Sequence, residues 1–158
     1  MHNLPLLLVE DEPNLGQTLR DYLRSKKFQV ELATSCSEAR MKFNEITPAI
    51  AILDIGLPDG SGIDLAREFR AQRKDCVLLF CTALNDPSLR VEGLELGAED
   101  YITKPFELKE LTLRLDRILK SREFTLHNPD EMHFGKLVFW PKRFEIQDGM
   151  NEISSLGQ

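Results

Sequence analysis

Glu10, Asp11 and Glu12 stand together in the sequence, Asp54 follows the apolar run Ile50 to Leu53, Thr82 ends another apolar run, and Lys104 precedes Pro105. Any one of these residues alone reads as a helix cap or a solvated side chain. If the fold gathers them, the reading changes, because clustered carboxylates raise one another's pKa unless a cation lies among them. Hard oxygen donors with no His or Cys nearby favour Mg²⁺, which takes one or two protein carboxylates and keeps waters or phosphate oxygens for the rest. Asp11 and Asp54 are the expected carboxylate ligands. With its charge screened, the Asp54 carboxylate becomes a nucleophile for phosphorus, and catalysis is then mainly positioning and charge neutralisation. Lys104 is expected to pair with the phosphoryl group as a point charge, and the Thr82 hydroxyl to donate a hydrogen bond to it. Ala83 leaves access open.

The elements that must position these groups follow an alternating pattern. Short apolar runs at Leu6 to Val9, Phe28 to Ala33, Ile50 to Leu53, Val77 to Cys81 and Tyr101 to Thr103 read as five strands, and amphipathic stretches between them as five helices. The first, third and fourth strands are almost wholly apolar, as strands covered on both faces must be. Pro13 and Asn14 open a helix carrying Leu15, Leu19, Tyr22 and Leu23. Others are expected from Ser37 to Asn44, Gly62 to Arg73, Pro87 to Leu96 and Glu107 to Ser121, the last with Leu108, Leu111, Leu115, Ile118 and Leu119 on one stripe. This is an α/β chain with a doubly wound parallel sheet. Ligands of such sheets bind beyond the carboxyl ends of the strands, where the four chemical positions fall.

The periodicity fails near Asn128 and Pro129, which places a domain-sized unit at residues 1–122 and a linker at 123–131. Residues 132–158 are aromatic-rich, with Pro141 and Lys142 dividing two short runs and Asp148-Gly149 offering a hairpin turn. The expectation there is a C-terminal antiparallel β fragment, marginal alone, of an incomplete second domain.

The totals exclude several functions. A formal charge of −6 and a pI near 5.1 supply no basic field for a nucleic-acid backbone. Residues 123–158 hold three Lys or Arg against six Asp or Glu, a net of −3, so DNA contact is expected only through a segment that this sequence lacks. The apolar stretch at Leu4 to Val9 has no preceding Lys or Arg and reads as a strand, not a signal peptide, and no run is long enough for a membrane helix. Cys36, Cys76 and Cys81 form an odd set without metal-site spacing, so a cytoplasmic location is expected. No glycine-rich dinucleotide fingerprint follows the first strand.

The motifs LVEDEP at 8–13, LDIGLPDGSG at 53–62, FCTA at 80–83 and GAEDYITKPF at 97–106 resemble those of a two-component response regulator receiver domain. That resemblance implies a flavodoxin-like sheet of strand order 2-1-3-4-5 and phosphoryl transfer from a sensor histidine kinase to Asp54. It implies Mg²⁺ at Asp11, Asp54 and the Gly56 backbone carbonyl, with Glu10 acting on the metal through water. It also implies a coupled switch of Thr82 and Tyr101, and a cis peptide between Lys104 and Pro105.

Arg90, Val91, Leu94, Asp100, Glu110 and Arg114 lie at positions matching the face through which receivers of the winged-helix (OmpR/PhoB-like) subfamily dimerise, with Arg90 set against Glu110 and Asp100 against Arg114 across a two-fold axis. The tail resembles the opening sheet of that subfamily's effector domain, so the parent protein is expected to regulate transcription. A phosphatase of the haloacid-dehalogenase kind also forms an aspartyl phosphate with Mg²⁺, but needs a second Asp two residues after the nucleophile. Gly56 stands there instead, so the phosphorylated state is expected to persist as a signal and to decay slowly, without enzymatic turnover. A pure interaction module would lack the acceptor or the lysine, and both are present.

Overall fold

A computed structural model describes residues 3–127 of the chain, with side chains through Arg122. The elements run β1 (Pro5–Val9), α1 (Pro13–Ser25), β2 (Gln29–Ala33), α2 (Cys36–Ile46), β3 (Ile50–Leu53), β4 (Gly56–Leu57), β5 (Gly60–Ser61), α3 (Gly62–Gln72), β6 (Val77–Thr82), α4 (Pro87–Glu95), β7 (Asp100–Thr103) and α5 (Leu108–His127). Five of the strands form one parallel sheet in the order β2-β1-β3-β6-β7, while β4 and β5 make a two-residue antiparallel hairpin of their own. The expected flavodoxin-like fold is therefore present, its fourth and fifth sheet strands being β6 and β7.

β1, β3 and β6 are the central strands, and nearly all of their residues are buried, which is why their sequences are continuous apolar runs. One sheet face, carrying Leu7, Val9, Ala51, Leu53, Leu78 and Phe80, packs with Phe43 of α2 and Ile63, Ala66 and Phe69 of α3 in a single core. The Phe43 and Phe69 rings stack at 3.9 Å. On α1, Leu19 and Leu23 are buried at helical spacing. α4 differs from its neighbours: Gly93 is its one buried residue, and a Cβ there would stand 2.8 Å from the Phe80 ring. Only a glycine lets this helix approach the sheet.

Local signals explain the ends. Pro13 opens α1 and the Glu12 carboxylate accepts the Leu15 N–H; Ser35 caps α2, Ser61 caps α3 and Asp86 caps α4, each accepting a backbone N–H two or three residues on. Most boundaries fall within a residue or so of the sequence reading, and three larger differences stand out. α2 is longer at both ends: Ser35 caps its start by accepting the Glu38 N–H, so the helix begins at Cys36, while the Glu38 carboxylate accepts the Thr34 N–H just before it. The β4–β5 hairpin was absent from the sequence reading, since LPDGSG has the composition of a turn and strands of two residues carry no periodicity. α5 continues to His127, through the first residues of the expected linker. The remainder of that linker and the expected β fragment at 132–158 lie outside the described residues. Compactness divides the chain into units at residues 1–114 and 115–158, and the sheet, α1 to α4 and the start of α5 belong to the first.

Candidate functional site

The parallel register brings the chemistry together. Val9 pairs with Leu53, Leu53 with Phe80, and Thr82 with Thr103, so β1, β3, β6 and β7 end at one edge of the sheet. Backbone bonds continue the ladder past the strand ends: Asp54 N–H donates to the Val9 carbonyl at 3.0 Å, Glu10 N–H to Ala33 at 2.9 Å and Lys104 N–H to Thr82 at 2.9 Å. Glu10, Asp54 and Lys104 are thus each the first residue beyond a paired strand, held by the sheet but free to turn a side chain toward the crevice, while Thr82 is the last residue of β6.

Glu10, Asp11 and Asp54 each place a carboxylate oxygen within 4.8 Å of the others. Glu10 is 2% exposed and Asp54 7%, whereas Asp11 is open to solvent. Lys104 Nζ donates to Glu10 Oε1 at 2.6 Å and to Asp54 Oδ2 at 3.0 Å, bridging the two buried carboxylates. Burial raises the Glu10 pKa above the usual carboxylate range, and the neighbouring Asp54 charge adds to this, against the opposing pull of Lys104 and of the Glu12 N–H on Glu10 Oε2. For Lys104, burial works against the charged form, but the bonds to Glu10 and Asp54 outweigh it and raise its pKa. All the donors are hard oxygens and no His or Cys takes part, which fits a divalent cation of the Mg²⁺ type.

The remaining expected residues surround this cluster. The Gly56 N–H donates to Asp54 Oδ1 at 3.3 Å, and Gly56 itself is exposed. A Cβ there would meet only Leu84 Cδ1, at 4.0 Å. Thr82 is fully buried, and its Oγ1 accepts the Leu84 N–H at 3.3 Å. Tyr101 is buried against Phe80 and donates its hydroxyl to the Leu84 carbonyl at 2.7 Å. Both members of the Thr–Tyr pair therefore meet on the backbone of Leu84. The Lys104–Pro105 peptide is cis, as the resemblance implied.

Of the residues read as a dimer face, Arg90 lies 5.4 Å from the centroid of the Tyr101 ring, and Val91 and Leu94 are exposed. Arg114 bonds Asp100 at 2.9 Å and Glu110 at 2.9 Å within the same chain, so Asp100, Glu110 and Arg114 form an intramolecular group. Among the described residues no helix is long and apolar enough to cross a membrane.

Three contributors went unread in the sequence. Glu12 caps α1, which a run of three acids hides; Leu84 serves through its backbone, which leaves no side-chain signal; Asp59 reaches α2, a contact set by tertiary placement alone.

Comparison with known proteins places the arrangement. Residues 6–116 match the response regulator receiver domain. The chain is 37% identical over 144 residues to the regulatory protein VanRB of Enterococcus faecalis, covering 91% of this chain and 64% of that protein. It is 43% identical over 121 residues to the response regulator RppA of Synechocystis, covering 74% of this chain and 50% of that one. The chain thus spans between about half and two thirds of such relatives. Among solved structures, the non-phosphorylated HemR receiver domain of Leptospira biflexa superposes with a TM-score of 0.70 at 43% identity, covering 73% of this chain and 93% of that one. The BeF3-activated receiver domain of Klebsiella pneumoniae RstA gives 0.67 at 29%, covering 71% and 95%. By its four motifs, its sheet order and this match over most of its length, the chain belongs to the response regulator receiver domain family.

Proposed function

We propose that Asp54 accepts a phosphoryl group from a phosphohistidine of a sensor histidine kinase, and that the phosphorylated chain acts as a signal. The observation that carries the reading is the bridge of Lys104 across Glu10 and Asp54 beside the exposed Asp11, a buried nucleophile with its counter-charge in place. An Asp54 carboxylate oxygen forms the new bond to phosphorus as the phosphorus–nitrogen bond breaks, and the electron pair leaves with the imidazole. Asp11, Asp54 and the Gly56 carbonyl would hold Mg²⁺, with Glu10 reaching it through water, and the ion would supply charge neutralisation at the phosphoryl oxygens. Lys104 moves from its two carboxylates toward the phosphoryl group, and Thr82 turns its hydroxyl to a phosphoryl oxygen, releasing the Leu84 N–H.

That last movement gives the output a route, because the Tyr101 hydroxyl is also on Leu84. A shift of the Leu84 backbone changes what Tyr101 and the adjacent Arg90 present on the face formed by α4, β7 and α5. In this reading the face forms a two-fold homodimer on phosphorylation, with Val91 and Leu94 at its centre and Arg90, Asp100, Glu110 and Arg114 exchanging partners between copies. Relatives named as transcriptional regulators, such as CssR of Bacillus subtilis, support placing the parent protein in transcriptional control, with DNA bound by a part of the effector domain beyond this chain. The tail at 132–158 is read as the opening of that winged-helix domain. Gly56 and Leu84 flank the approach to Asp54, and their bulk sets the lifetime of the acyl phosphate.

Intact mass after incubation with acetyl phosphate and Mg²⁺ tests the site. The wild type gains one phosphoryl group and Asp54→Ala gains none; a gain that persists in the variant refutes the assignment. Faster or slower decay in Gly56→Asn supports the role of that position, and an unchanged rate removes it.

A further inference from the structure

We infer that Asp59 is a positioning residue for the metal and phosphoryl site, fastening the β4–β5 hairpin, and with it the Gly56 backbone, to the first turn of α2. The inference rests on the reading of Asp54 and Gly56 proposed above.

The segment from Asp54 to Gly62 is held unevenly. At its α3 end the Gly62 N–H donates to the Ile55 carbonyl at 2.8 Å, and the chain passes so close that a Cβ on Gly62 would lie 2.0 Å from the Asp54 carbonyl oxygen. At Gly56 the restraint is light: the residue is exposed, its N–H bonds the Asp54 carboxylate at 3.3 Å, and the space a side chain would fill is open apart from Leu84. Glycine is the most permissive backbone unit, and a ladder of two residue pairs is too short to hold itself. The Gly56 carbonyl therefore depends on a restraint from outside the hairpin.

Asp59, at the hairpin tip, supplies one. Its Oδ1 accepts the Cys36 N–H at 2.7 Å and its Oδ2 the Ser37 N–H at 3.0 Å, two of the donors that every helix start leaves unserved. Nothing is duplicated, because Ser35 serves the Glu38 N–H and Glu38 bonds back to Thr34. The two backbone donors also hold the Asp59 carboxyl below the usual range. Gly60 completes the docking, since a Cβ there would stand 3.2 Å from Cys36 Sγ.

The contact also closes a circuit. Glu10 is bonded through its N–H to Ala33 at the end of β2; a short span leads to Cys36; Asp59 joins Cys36 to the hairpin; and the Gly56 N–H returns to the Asp54 carboxylate. These links run from one carboxylate of the cluster to another, and the Asp59 carboxylate makes the hydrogen bonds that tie the hairpin to α2. Cutting them leaves every carboxylate in place and frees the Gly56 backbone.

The test uses the whole chain and titrates Mg²⁺ calorimetrically into wild type, Asp59→Ala, Asp59→Asn and Ser35→Ala, with the thermal midpoint of each measured in EDTA. Ser35→Ala removes the other cap of the same helix without touching the hairpin, so it reports the effect of weakening α2 alone. Asp59→Ala is expected to weaken Mg²⁺ binding about tenfold, the loss typical of groups that orient a metal ligand. Asp59→Asn, which keeps one acceptor, falls between, and Ser35→Ala lowers the midpoint at wild-type affinity. Unchanged affinity in Asp59→Ala, or an equal loss in Ser35→Ala, overturns the inference while leaving the role of Asp54 intact. A wild type that binds no Mg²⁺ overturns both.

Discussion

Replacing Lys104 by methionine removes the ammonium and keeps most of the apolar stem, so it isolates the charge. In the metal-free protein that charge lies 2.6 Å from Glu10 and 3.0 Å from Asp54, and the three side chains are 16%, 2% and 9% exposed, respectively. At an effective dielectric near 20 each contact has a gross attraction of about 6 kcal/mol, and the variant loses both while two buried carboxylates are left facing each other. Protonation of one carboxylate and water entry return part of this. Breaking a buried pair from one side typically costs about 3–5 kcal/mol, and the open side at Asp11 favours the lower end, about 3 kcal/mol. For a domain of this size that corresponds to roughly a 12 °C fall in Tm. Chemical and thermal unfolding in EDTA at pH 7 measure the loss. Two conditions must shrink it: saturating Mg²⁺, which replaces the missing positive charge, and a lowered pH, since the raised Glu10 group takes up a proton in the folded state before it does so unfolded. A loss under about 1 kcal/mol, or one of the same size under all three conditions, refutes the claim that Lys104 neutralises this cluster.

Glu10→Gln tests the opposite side of the balance. With a native pKa above the unfolded one, Glu10 makes the metal-free protein lose stability as pH rises from the ordinary glutamate range through the raised native value. The glutamine variant is expected to be the more stable at pH 7 in EDTA and to show a flatter pH profile of Tm. Gly62→Ala forces a Cβ against the Asp54 carbonyl and is expected to cost at least about 3 kcal/mol in denaturant unfolding, whereas Gly56→Ala, facing open space, stays within about 1 kcal/mol. Burial pushes the Cys76 thiol up to about 11 and Cys81 up to about 12, so at pH 8 a thiol reagent is expected to label both only as fast as the protein opens.

The sequence carries the fold where burial is two-sided. PLLLV, IAIL and VLLFCT can only be covered strands, and the spacing between them leaves room for one helix each. It carries the site where side chains act, since Glu10, Asp11, Asp54 and Lys104 fall just past strand ends and Thr82 closes one. It is silent where backbone acts. Leu84 holds Thr82 with its N–H and Tyr101 with its carbonyl, and leucine as a residue type announces neither. Asp59 is silent for another reason, because its partners at Cys36 and Ser37 are 23 and 22 residues away and an Asp-Gly pair already explains itself as a turn.

Consider finally the glycine through which α4 meets the sheet. The other helices for which side chains are described throughout each bury three or more residues, while α4 buries Gly93 alone and leans Leu89 and Leu96 partly on the core. A backbone lying on the Phe80 ring gains dispersion contact but has no side chain keyed into a socket, so the helix can slide or lift at small cost. In hydrogen exchange α4 should be the earliest of these four helices to take up deuterium, a patch of low local cohesion on an otherwise tightly keyed body. A larger residue at 93 would prop the helix away from the sheet altogether, so the same absence of a side chain that permits the contact also keeps it slippery.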